Sequence, residues 1–383
     1  MSRTFAPYCK FIMNDIITYA ENNLEPLSSG NFNRVDSLIL SCLCYLRTPE
    51  AASWQGVKLR ELARAENFKE MFSSVVGPEN LKTLLYALAA SPRFRDIIVC
   101  GAVENSDPEV EKQFAATTYR TSDLAYVAYR GTDSTFVGWK EDFNLAFQYP
   151  IPSQLAAANY LAEAAAKISE NYKFRLGGHS KGGNLAVYAA ANCPGLRDRI
   201  VKIYSHDGPG FIESVLESEM FKNIEPKLDK TVPQSSLVGM ILEHQENFTV
   251  VKSTKQSVWQ HDPFTWLIDG GDLVTLDSLE PNAKCFDATL NEWLSGLDKA
   301  ERERFVDALF GLIDLERIAT FDEFGANWQQ NLREMMRAAV GMDPETKKFV
   351  KKTLKALLTL CVKNYPELLR ARRDFRKERR DDR

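Results

Sequence analysis

"FRLGGHSKGGNLAVYAAA", residues 174–191, decides the fold. A short apolar run enters a turn in which glycine pairs flank His179, Ser180 and Lys181, and an alanine-rich stretch of helical composition leaves it. Gly178-His179-Ser180-Lys181-Gly182 is a G-x-S-x-G pattern, and a strand before it with a helix after it is the context that gives the pattern meaning. Small residues two before and two after the serine let strand and helix pass closely while the serine backbone is strained. Such a turn lifts the hydroxyl above the end of the sheet, where the free N–H groups of the next helix can meet a developing oxyanion. The alternative is a plain glycine-rich turn whose serine only caps the helix.

Outward from this turn the pattern repeats. "DIIVCGAVEN" (96–105), "QFAATTYRT" (113–121) and "LAYVAYRGT" (124–132) are short, rich in β-branched and aromatic residues, and bounded by turn residues, which predicts strands. A helical stretch "SQLAAANYLAEAAAKISENY" (153–172) follows, and "IVKIYSHDGPG" (200–210) predicts another strand after the quoted helix. Strands alternating with helices imply a mostly parallel sheet covered on both faces, an α/β fold. We expect residues 1–92 to form a helical segment packed on the core, 93–275 the α/β core, and 276–383 a helical region.

With 383 residues, 44% hydrophobic and 26% charged, the chain can bury a sizeable core. A formal net charge of -4 gives no global pull toward nucleic acid or anionic membrane, so any such contact must be local. The one local signal is the tail from Arg370, "RARRDFRKERRDDR", with eight basic and four acidic residues. It reads as a solvated helix end, or as a weak contact for an anionic surface. Seven scattered cysteines without paired spacing indicate neither a disulfide framework nor a zinc site. "MSRTFAPYCKFIMNDI" lacks the apolar core of a secretory leader, and no run reaches membrane-span length, so a cytoplasmic location is expected.

A serine nucleophile needs a base, usually a histidine oriented by a carboxylate. The chain has four histidines. His179 lies inside the turn and is expected to point elsewhere, and His206 follows the next strand too early for a base. In the chain order nucleophile, acid, base, His244 and His261 remain. His261, in "SVWQHDPFTW" after the expected strand "FTVVKS", sits in a loop at a strand's end and is preferred. For the acid, Asp207 in "YSHDGPGF" projects from the same sheet edge as Ser180, whereas Asp229 in "KLDKTVPQSS" precedes a strand; Asp207 is preferred, with Asp229 the alternative.

"AYRGTDSTFVGWKEDF" (128–143) resembles the oxyanion-strand segment of the class 3 lipases, and "GGHSKGGNLA" is similar to their nucleophile turn. The nearer resemblance is to a lipase-like bacterial family, the Mbeg-like proteins, through GHSKGGNLA, DGPGF and QHDP, over residues 30 to 270. It implies an α/β-hydrolase fold with Ser180 as nucleophile and His261 as base. It also implies that Thr132 and the backbone N–H of Lys181 form the oxyanion hole; no metal or organic cofactor is expected. Gly131 would let the backbone approach the site; Arg130, Trp139 and Asp142 resemble supporting residues, with an Arg130–Asp142 ion pair expected to hold the turn.

This sequence departs from the lipases in two places. Lys230 stands where their acid would fall, with Asp229 one step away, and Lys181 replaces a leucine after the nucleophile. The Lys181 side chain is expected to contact a substrate anion or to be solvated. The function expected is cleavage of a carboxylic ester or thioester, an acyl lipid among the candidate substrates, through an acyl-enzyme. The competing expectation is a catalytically silent binding or scaffolding protein on the same fold.

Overall fold

Alternation along one strand shows how the sheet is covered. In Ala125–Tyr129 every residue is buried; Tyr126 and Ala128 face one apolar cluster, and Ala125, Val127 and Tyr129 face another. Successive side chains of a strand point to opposite faces, so both faces of this strand are packed. In the computed structural model, residues 14–73, 75, 77–133, 135–242, 247–312 and 328–381 are described.

The strands are β1 (Val57–Lys58), β2 (Ile98–Asp107), β3 (Lys112–Arg120), β4 (Ala125–Tyr129), β5 (Phe174–His179), β6 (Ile200–His206), β7 (Leu228–Pro233), β8 (Phe248–Val251), β9 (Ile268–Asp269), β10 (Asp272–Leu273) and β11 (Thr275–Leu276). One nine-stranded sheet holds β1 through β8 in order and ends on β11, while β9 and β10 form a separate ladder. From β4 to β8 all neighbours are parallel, and β1–β4 and β8–β11 pair antiparallel. This helix-flanked sheet, parallel from β4 through β8, is the α/β-hydrolase architecture expected from the sequence.

The first face is covered by the N-terminal helices Ile16–Asn22, Arg34–Leu43 and Pro78–Ala90, whose apolar residues share a cluster with Tyr126, Tyr204 and Trp266. The second is covered by Pro152–Lys167 and Lys181–Asn192. Residues Lys181 through Ala191 are buried all round. The small alanines of "NLAVYAAA" fit this position, because a helix wedged between sheet and neighbour has no solvent face to fill.

Beyond the sheet lie helices Pro281–Ser295, Lys299–Phe310, Trp328–Gly341 and Pro344–Asp381. Lys299–Phe310 braces the helix Phe136–Asn144: Lys140 pairs with Asp307 at 2.9 Å, and the Phe143 and Phe310 rings meet edge-on at 5.6 Å. Among the described residues no helix is long and apolar enough to cross a membrane.

Candidate active site

Parallel strands deliver their C-terminal ends to one edge of a sheet, where such folds place ligands. Here β4 runs into Arg130, Gly131 and Thr132, β5 into Ser180, and β6 into Asp207; the loop after β8 carries His261.

Ser180 sits at φ 59°, ψ −136°, a conformation costly for a non-glycine residue, on the order of 1–3 kcal/mol. The turn is possible only because its neighbours lack side chains. A Cβ on Gly178 would lie 2.2 Å from the carbonyl carbon of Gly182, and one on Gly182 would lie 2.1 Å from the Tyr129 oxygen. Gly131 is equally confined: a Cβ there would come within 3.1 Å of Ser180 Cβ. The turn after β4 therefore runs directly beside the serine.

Asp207 is fully buried and held on several sides. Its N–H donates to the Thr231 oxygen at 2.7 Å, and Oδ1 accepts from the Ser236 hydroxyl and the Gly239 N–H. Oδ2 then faces His261 Nδ1 at 2.6 Å. An imidazole that donates from Nδ1 to a carboxylate keeps its lone pair on Nε2, the tautomer required of a base. The carboxylate paired with His261 is thus Asp207. Asp229 lies within β7 and pairs with Arg34 at 3.3 Å.

His179 turns its ring against His261, with centroids 4.4 Å apart. Its Nε2 donates to the His261 carbonyl at 2.8 Å, which leaves Nδ1 to accept from the Tyr45 hydroxyl at 3.2 Å. Burial holds the His179 pKa well below the usual range, so the ring is neutral. His206 is structural: buried between Ser37 and Thr231 hydroxyls at 2.9 and 2.8 Å, it is pushed down to about 3, chiefly by burial. His244 lies outside the described residues.

Thr132 donates its hydroxyl to Asp142 Oδ2. Burial raises Asp142 to about 6, against the opposing pull of Lys181 and of that hydrogen bond. Asp142 Oδ1 lies 3.8 Å from Lys181 Nζ and has no hydrogen-bond partner among the described residues. Trp139, on the same helix, is 39% exposed.

Two expectations are corrected. Arg130 does not pair with Asp142; its guanidinium reaches Glu104 on β2 at 2.8 Å, with Asp133 at 3.8 Å. Lys181 meets neither solvent nor the substrate side: it is 0% exposed, and Nζ bonds Glu141 at 2.9 Å and the carbonyl and side-chain oxygens of Gln113 at 3.0 and 2.8 Å. The physical reason is that the side chain runs back beneath the elbow. There Glu141 also accepts from the Gln113 and Ser153 N–H groups and the Ser153 hydroxyl.

Sequence reasoning missed Tyr45, Glu141 and Gln113, whose site contacts span 134, 40 and 68 residues. No local pattern marks such contacts. Among the described residues no group of His, Cys, Asp and Glu is arranged to hold a metal ion.

A model of the family described as Mbeg1-like matches residues 88–311. Among curated proteins no significant match is found. Among solved structures the chain is similar to M37 lipase at 15% identity and a TM-score of 0.34, over 53% of this chain and 68% of that one. It is also similar to the lipase from Rhizopus microsporus var. chinensis at 15% identity and a TM-score of 0.31, over 57% of this chain and 91% of that one.

Proposed function

We propose that this chain, which belongs to the Mbeg1-like family, is a serine hydrolase that cleaves a carboxylic ester or thioester through an acyl-enzyme on Ser180. The observation that carries the reading is the 2.6 Å contact of Asp207 with His261 Nδ1, at the same sheet edge as a serine held in strained backbone geometry.

In this reading Ser180 Oγ attacks the substrate carbonyl carbon while His261 Nε2 takes the hydroxyl proton. The carbonyl π pair moves onto oxygen, and the backbone N–H groups of Thr132 and Lys181 receive the oxyanion. Collapse expels the alkoxide or thiolate, which takes the proton from His261 as it leaves. Water then repeats the sequence on the acyl-enzyme, releasing the carboxylic acid and restoring Ser180. Two fixed donors aimed at the oxyanion supply the largest electrostatic share, since losing one typically costs about a hundredfold or more.

The buried lysine fits this scheme as an anchor. Tethered to Glu141 and Gln113, it pins the first residue of the elbow helix, the residue whose N–H is assigned to the oxyanion. Thr132 is pinned in turn through Asp142. The test is hydrolysis of p-nitrophenyl esters of graded acyl length by the full chain beside Ser180→Ala. Turnover lost in the variant supports the proposal; equal rates in both, or none with any ester, contradict it.

A further inference from the structure

The long helix Pro344–Asp381 has one covered side and one bare side. On the covered side the Trp293 indole donates to the Thr353 carbonyl at 3.1 Å, and Asn364 reaches Thr289 at 2.9 Å, fastening it to Pro281–Ser295. The bare side carries Leu354, Leu358 and Val362, 44%, 65% and 74% exposed. Their four-residue spacing makes one continuous row.

That row does not lie alone. Lys351 and Lys355 stand three residues before Leu354 and Leu358, and exposed Lys348 and Lys352 extend the same side. Residues 344–381 hold thirteen lysines and arginines against five aspartates and glutamates, in a chain whose formal net charge is -4. The rest of the protein is therefore acidic, and the cationic excess is concentrated on this helix.

A merely solvated face would need the lysines but not the leucines. A self-associating face would need the leucines but would be opposed by the repulsion of its own lysines across a symmetric contact. Apolar side chains interleaved with lysines suit one environment, an anionic lipid surface, where the leucines enter the acyl boundary and the lysine stems extend upward to the headgroups. We infer that the 347–363 face of this helix docks the protein on anionic lipid bilayers. This does not depend on the hydrolase reading, although an acyl-ester substrate would be met at the same surface.

The experiment is co-sedimentation of the full chain with vesicles of phosphatidylcholine alone or containing phosphatidylglycerol. Binding should appear with the anionic vesicles, fade with added salt, and fall about tenfold or more in Leu354→Ser/Leu358→Ser/Val362→Ser and in Lys351→Glu/Lys355→Glu. The substituted residues are exposed, and circular dichroism checks that both variants fold. Equal binding to the two vesicle types, or binding unchanged in both variants, overturns the inference. So would failure to bind the anionic vesicles; dimers that the triple variant dissociates would then assign the face to self-association, and RNA binding that needs only the lysines would assign it to nucleic acid. Ester hydrolysis is read separately, so loss of either proposal leaves the other standing.

Discussion

His179 donates from Nε2 to the carbonyl oxygen of His261 over 2.8 Å, while Tyr45 closes the far side of its ring at 3.2 Å. The His261 carbonyl, which can only accept, fixes Nε2 as the nitrogen that carries the proton, and the Tyr45 hydroxyl then donates to Nδ1. The other tautomer would set a lone pair against the His261 carbonyl, so the Tyr45 contact supports the tautomer that the carbonyl selects. An N-terminal residue outside the matched family span thereby reaches the His261 backbone through His179.

From this, His179→Ala should lower kcat about fivefold to tenfold with KM nearly unchanged, the scale of one lost hydrogen bond. His179→Gln, whose amide can reach the same carbonyl, should recover part of the loss, and Tyr45→Phe should show a smaller decrease of the same kind. Steady-state kinetics on one ester decides it; equal losses in the Ala and Gln variants would show a packing role only.

Asp207→Asn should leave the fold intact and reduce kcat by about a thousandfold or more, because an amide facing Nδ1 no longer stabilises the imidazolium and favours the wrong tautomer. Asp229→Asn, at the Arg34 ion pair rather than at His261, should retain nearly full activity. Reversal of these two results would move the acid to β7.

Lys181→Met should destabilise by about 3–5 kcal/mol, since Glu141 is also 0% exposed and would keep an unpaired charge. Adding Glu141→Gln removes that charge and should restore much of the loss. Urea unfolding of the two single variants and the double gives the coupling, and simple additivity would contradict the buried pair.

Asp142, raised to about 6 mainly by burial, takes up its proton more readily in the folded protein than its ordinary value of 3.8 allows. The folded state therefore binds more protons in that window, and stability falls as pH rises through it. With 23% of the side chain exposed, the effect is on the order of 1 kcal/mol. Relative to wild type, Asp142→Asn should gain stability as pH rises from 4 to 6 and stay level above that window. A difference that does not change with pH would refute the shift.

The elbow, the strands around it and the pairing of Asp207 with His261 were legible because each rests on local pattern: a turn needing glycine, a short run of β-branched and aromatic residues between turns, a carboxylate just past a strand's end. Lys181 was misread because charge alone predicts exposure, and the carboxylate that buries it stands 40 residues away. Arg130 was misassigned for a related reason. Its partner Glu104 comes from β2, two strands across the sheet, which only the register reveals. Tyr45 lies in a helical stretch that reads as core, and its hydroxyl acquires a role only when that segment folds over the elbow.

The most direct test of the central claim is labelling of the purified chain with a fluorophosphonate, read by intact mass, beside Ser180→Ala and His261→Ala. An activated serine predicts one adduct per chain in the wild type and none in either variant at matched times. A folded wild type that stays unlabelled, or an adduct that persists in Ser180→Ala, would contradict it.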